Sequence, residues 1–168
     1  TWHDGVFPSF VSAILNHKYK KGLNLYIENI QAPEEDWENV EHILENTDNY
    51  PLNELGWSGN KVNENILSFL QKNTKLNTLF ISGTFSEDNE DSFNEFIDSV
   101  NEIKSLKNLV IQGSGDNILE ERIYPLFNKL IDHQSLTLLD VSNQQIGNDG
   151  ISELSNLVES SPKLQYLI

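Results

Sequence analysis

The chain has 168 residues, 38% of them hydrophobic, enough for one domain with a substantial shared core. Its formal net charge of −15 makes nucleic acid and anionic lipid poor partners, and no run approaches the roughly 18 apolar residues of a membrane span. It contains no cysteine, which removes disulfides, thiolate catalysis and cysteine-ligated zinc.

Residues 1–21 open the chain with Phe7, Phe10, Val11, Ile14 and Leu15 at helical spacing and Pro8 near the first turn, where it is tolerated. They are expected to form the helix of a preceding unit or an N-terminal cap. Lys18, Lys20 and Lys21 follow near its C-terminal end, where positive charge is favourable, and this structural reading is preferred to a basic docking motif. With Asp4 they give this segment +2, leaving −17 on the remainder.

From residue 22 an apolar opening recurs. Leu25 and Ile27 follow Gly22, and then come Leu52, Leu55 and Trp57; Leu76, Leu79 and Ile81; Leu106, Leu109 and Ile111; Leu136, Leu139 and Val141. Leu164 and Leu167 start the motif again. The start-to-start spacings are 30, 24, 30, 30 and 28 residues. Each opening predicts a short strand, followed by a turn and an apolar set at helical spacing.

In the first unit Leu25 to Ile27 is the expected strand. Pro33, Glu34, Glu35 and Asp36 suit a helix start, and Trp37, Val40, Ile43 and Leu44 form the inward stripe. The short second unit has Gly59 and Asn60 in its turn and Val62, Ile66, Phe69 and Leu70 on its helix. The third has an acidic turn over residues 86–91, then Phe93, Phe96, Ile97 and Val100. In the fourth, with Ile123, Leu126, Phe127 and Leu130, Pro125 predicts that the regular helix begins close to it. The fifth carries Leu154, Leu157 and Val158.

Units of this kind cannot bury an apolar face alone, so they must stack. Strands buried on both faces, as in a doubly wound sheet, read as continuous apolar runs. Here polar residues separate the apolar positions, and no Gly-rich phosphate loop follows a strand. The expected fold is α/β: a right-handed leucine-rich-repeat solenoid, a horseshoe with parallel strands on the concave face and helices on the convex face. Residues 22–168 are expected to form one domain of five units plus the start of a sixth, part of a longer protein.

The positions between the inward residues face the concave surface. One column reads Tyr26, Gly56, Phe80, Val110 and Asp140, with Gly56 as a gap. The next reads Glu28, Ser58, Ser82, Gln112 and Ser142, and the third Asn29, Gly59, Gly83, Gly113 and Asn143. Aromatic anchors among small polar groups suit a protein-binding face. The candidate contact residues are therefore Tyr26, Glu28, Ser58, Phe80, Ser82, Val110, Gln112, Asp140 and Ser142. Scattered exposed apolar residues are also ordinary, and the glycines suit a tight turn after each strand.

Residues 28–48 hold eight acids and residues 85–102 seven, with no Lys or Arg in either stretch. A solvated convex face explains them, and a basic partner is the alternative. Asp88 to Asp91 lacks the spacing and glycine of a calcium loop. His3, His17, His42 and His133 have no metal-ligand spacing, and Asp132, His133 and Ser135 lie between a helix end and a strand without a nucleophile elbow. The single arginine, Arg122, offers little for phosphate chemistry. No catalytic residue, metal site or cofactor is expected.

The repeat resembles the ribonuclease-inhibitor-like class of leucine-rich repeats, which pairs each strand with a full helix. The stretch from Leu139 to Ile151 is similar to the repeats of the CARMIL family and, more distantly, of tropomodulins. That resemblance implies a cytoplasmic scaffold linked to actin organisation, with no site residue transferable. The family's asparagine position is held by Ile30, Asn60, Thr84, Ser114 and Gln144, so one of five conforms. The expected function is non-enzymatic binding of a protein partner on the concave face, with no membrane insertion. The partner's identity and the oligomeric state stay open. A structural spacer, or an acidic convex surface that binds a basic partner, is the alternative. The absence of cysteine and of any N-x-S/T sequon favours the cytoplasm.

Overall fold

The computed structural model describes residues 3–16, 22–47, 52–85 and 90–168. The Lys18, Lys20 and Lys21 cluster, His17 and the acidic turn over 86–89 lie outside them. Six strands, β1 (Leu23–Tyr26), β2 (Leu52–Gly56), β3 (Thr78–Phe80), β4 (Asn108–Val110), β5 (Leu138–Asp140) and β6 (Tyr166–Leu167), form one sheet in strictly sequential order. Every pairing is parallel. The helices between them are α1 (Val6–Leu15), α2 (Glu34–Glu45), α3 (Glu64–Lys72), α4 (Glu90–Ser99), α5 (Tyr124–Leu130) and α6 (Gly147–Ser160). Each helix packs on the next in the chain, so they make one layer on one side of the sheet. This is the leucine-rich-repeat solenoid that the spacing predicts.

The register is that of the repeat. Leu25, Leu55, Leu79, Leu109, Leu139 and Leu167 lie opposite one another across successive strands. From Leu55 to Leu139 this row is at most 2% exposed. Truncating one of these leucines to alanine would cost about 2–5 kcal/mol, because the stacked neighbours cannot close the cavity. The first strand begins two residues earlier than its apolar spacing suggests, at Leu23.

The helices supply the other wall of the core. Trp37, Val40 and Leu44 of α2 are buried and Ile43 is half-buried; all of Ile66, Phe69 and Leu70 of α3 are buried. Short α3 suits the short second unit, and Asn63 caps it by accepting the N–H groups of Asn65 and Ile66. α5 starts at Tyr124 after a 3-10 turn over Glu120–Ile123, which places Pro125 in its first turn as expected. Rings run across unit boundaries: Phe7 meets Trp37 edge-on at 5.0 Å, and Trp37 meets Trp57 at 5.9 Å. Asp36 does more than match the helix dipole, because its carboxylate accepts the Gly5 N–H at 2.8 Å and ties the start of α1 to α2.

α6 is the last helix among the described residues. Leu154 and Leu157 turn inward, but Ile151 and Val158 stand exposed on its outer flank, against which no described residue lays a further helix. On α1, Phe10 is likewise partly exposed. No helix among the described residues is long and apolar enough to cross a membrane.

Candidate functional site

The chain must leave each strand sharply to reach the convex side, and this exit organises the concave face. The third column sits at the exit, where Asn29, Gly59, Gly83 and Asn143 all have φ between +51° and +69°. The glycines and asparagines there are consequences of the turn.

The strand carbonyl just before an exit needs a donor, and at two exits a side chain from the next unit supplies it. Asn60, 4% exposed, donates through Nδ2 to the Ile27 carbonyl, while its Oδ1 accepts the Ile30 N–H at 2.8 Å. Gln144, 2% exposed, repeats this three units later: Nε2 donates to the Ile111 carbonyl at 2.7 Å and Oε1 accepts the Leu119 N–H at 2.7 Å. Counting asparagines alone therefore undercounts the motif. Glutamine carries the same amide, and its extra methylene serves the longer turn of the fourth unit, where the donor N–H lies at residue 119. Thr84 contributes its hydroxyl to the Gly59 N–H at 3.1 Å, a partial substitute.

The second column turns out to be stitched into the sheet. Ser58 Oγ accepts the Ser82 N–H at 3.1 Å, and Ser82 Oγ accepts the Gln112 N–H at 2.9 Å. Gln112 Nε2 in turn donates to Asp140 at 2.7 Å. Asp140, 8% exposed, also accepts the Ser142 N–H at 3.0 Å and the Ser142 hydroxyl. Ser58, Ser82, Gln112, Asp140 and Ser142 thus form a self-satisfied polar ladder running towards β5. Sequence spacing put these side chains on one face but could not show that their hydrogen bonds are already made.

The opposite end of the face differs. Tyr26, Gly56, Phe80, Val110 and Asp140 stand in register on successive strands. Gly56 is no gap in this column. The Tyr26 ring leans across β2 and lies 5.7 Å from the Phe80 ring, tilted by 51°. A Cβ placed on Gly56 would stand 2.5 Å from Tyr26 Cδ1 and 3.1 Å from Glu28 Oε1. The missing side chain is what lets two aromatic residues two strands apart meet. The Tyr26 hydroxyl donates to the Glu54 carboxylate, which fixes the ring, yet Tyr26 remains 54% exposed. Acceptance by Glu54, then burial and the nearby charges of Glu54 and Glu28, push the phenol above its ordinary value. Val110, half-buried, continues the apolar strip beyond Phe80.

Elsewhere the polar groups have structural duties. His133 Nδ1 accepts the N–H groups of Ser135 and Leu136, while the Ser135 hydroxyl donates to the Lys104 carbonyl, so no relay joins them. Burial depresses the His133 pKa, and the charge of Lys104 pushes the same way. On the convex side Glu34 pairs with Lys61 and Asp98 with Lys129. No cluster of acids and histidines suited to a metal ion occurs among the described residues.

No protein-family model matches the chain, and no curated protein matches it. Solved structures do. A tropomodulin C-terminal domain from Caenorhabditis elegans superposes with a TM-score of 0.65 at 10% identity, over 92% of this chain and 92% of that one. Leiomodin-1 actin-binding site 2 follows at a TM-score of 0.45 and 14% identity, over 98% of this chain and 79% of that one. The first likeness shows the fold.

Proposed function

We propose that the chain is a non-enzymatic protein-binding module that docks a partner on its concave strand face, within a cytoplasmic, actin-regulatory setting. The observation that carries this is the exposed Tyr26 ring held against half-buried Phe80. Large exposed aromatic rings held in fixed positions are the groups that most often anchor protein interfaces, because they bury much area while losing little side-chain freedom. The remaining candidates, Glu28, Ser58, Ser82, Val110, Gln112, Asp140 and Ser142, surround that anchor as a rim whose polar groups are largely satisfied within the sheet. The tropomodulin-like fold and the similarity of Leu139 to Ile151 to actin-regulating repeats support actin as the first partner to test.

The test uses purified actin, as monomer and as filament, with the wild-type chain and a Tyr26→Asp, Phe80→Asp double variant. Binding by the wild type, lost by the variant with an unchanged circular dichroism spectrum, is the expected outcome. Binding that survives in the variant removes the concave face from the account, and binding to neither form of actin removes the actin setting.

A further inference from the structure

The chemistry around the open rings narrows what kind of side chain they receive. Tyr26 offers an exposed ring tilted against the half-buried ring of Phe80, and Glu28 and Glu54 stand beside them on β1 and β2 or just beyond. Glu54 is committed to the Tyr26 hydroxyl through one oxygen only, Oε2. Glu28 lies close enough that a Cβ on Gly56 would touch its Oε1. Neither carboxylate has a cation within ion-pair distance among the described residues, in contrast to Glu34, Glu102 and Asp98 elsewhere on the chain.

We propose that this corner of the concave face, built from Tyr26, Phe80, Glu28 and Glu54 over Gly56, is a receptor for a basic side chain of the partner, arginine above lysine. The inference rests on the concave-face reading and deepens it. A guanidinium stacks on an aromatic face and presents its N–H fork to a carboxylate at the same time. Its aliphatic stem would lie along the Phe80 edge. An apolar partner side chain would cover the same rings but strip water from Glu28 and Glu54 without pairing them, and that desolvation outweighs the contact. The net charge of −15 draws a basic segment towards the face and speeds its encounter.

A phage-displayed random dodecapeptide library selected against the full chain tests this. Enriched peptides are synthesised, and their binding is mapped by amide shifts of the 15N-labelled chain. The expected result is arginine- or lysine-bearing peptides that shift Tyr26, Gly56 and Phe80. Their affinity should fall about tenfold in a Glu28→Gln, Glu54→Gln variant of unchanged circular dichroism, and fall again with added salt. Peptides that map to these strands but lack a basic residue, or that bind the double variant equally well, overturn the basic-receptor proposal and leave the concave docking face standing. Peptides that map only to the acidic helices α2 and α4 overturn both, and a selection that enriches nothing counts against the receptor.

Discussion

Between β1 and β3 the concave face presents Tyr26 and Phe80 with two carboxylates that have no cation partner among the described residues, whereas between β4 and β5 it presents Gln112, Asp140 and Ser142 bonded to one another. The strands beneath are alike, in the same register and over the same row of leucines. The difference comes from what each unit places at the middle exposed position. Gly56 removes a side chain and lets its neighbours meet across β2. Asp140 adds a charged one, whose demands the sheet meets internally. One end of the face thereby keeps an exposed ring while the other is closed on itself.

If the frame under both ends is equivalent, the two amide bridges should matter equally. Asn60→Ala orphans a buried carbonyl and a part-buried N–H and Gln144→Ala a buried carbonyl and a buried N–H, so each should cost about 3 kcal/mol in urea denaturation. A large cost at one and none at the other would break the equivalence. The next contrast lies on the face itself. Asp140→Ala should cost about 2 kcal/mol, since it strands donors from Gln112 and Ser142, while Glu54→Ala should stay within about 0.5 kcal/mol and affect binding instead.

Acid titration separates the frame beneath the face from its open end. Burial lowers the folded pKa of His133 below the unfolded value of 6.5. Its contribution is complete above the unfolded value and is lost as pH falls from there through the folded one. Stability measured by chemical denaturation should therefore drop from pH 7 towards acid with a component that His133→Gln removes. At the open end the signal is smaller and spectroscopic. Tyr26 should ionise above the ordinary tyrosine value near 10, and Glu54→Gln should bring it back down, as followed by phenolate absorbance against a Tyr26→Phe blank.

Much of the frame was legible in the sequence. The leucine spacing fixed which residues face one another, and the interior stripes of α2 to α5 follow from helical periodicity because each is flanked by another helix. Periodicity failed at α6, where Ile151 and Val158 share the apolar spacing but have no outer neighbour among the described residues. The candidate site was legible only as columns. Spacing says which residues share a face; it does not say how far a tyrosine reaches, so Gly56 looked like an interruption when it is the passage that joins Tyr26 to Phe80. The Ser58 and Ser82 staples escaped for a related reason, since their partners are backbone groups of the next unit. Gln144 escaped because residue identity, and not the amide it carries, was matched to the motif.

The most direct test is a nuclear Overhauser experiment on the aromatic protons of the wild-type chain and of Gly56→Ala. Strong cross-peaks between the Tyr26 and Phe80 rings in the wild type, lost in the variant, are expected from a ring separation of 5.7 Å. Their absence from the wild type, or their survival when alanine occupies position 56, would contradict the crossing over β2 and with it the docking corner built upon it.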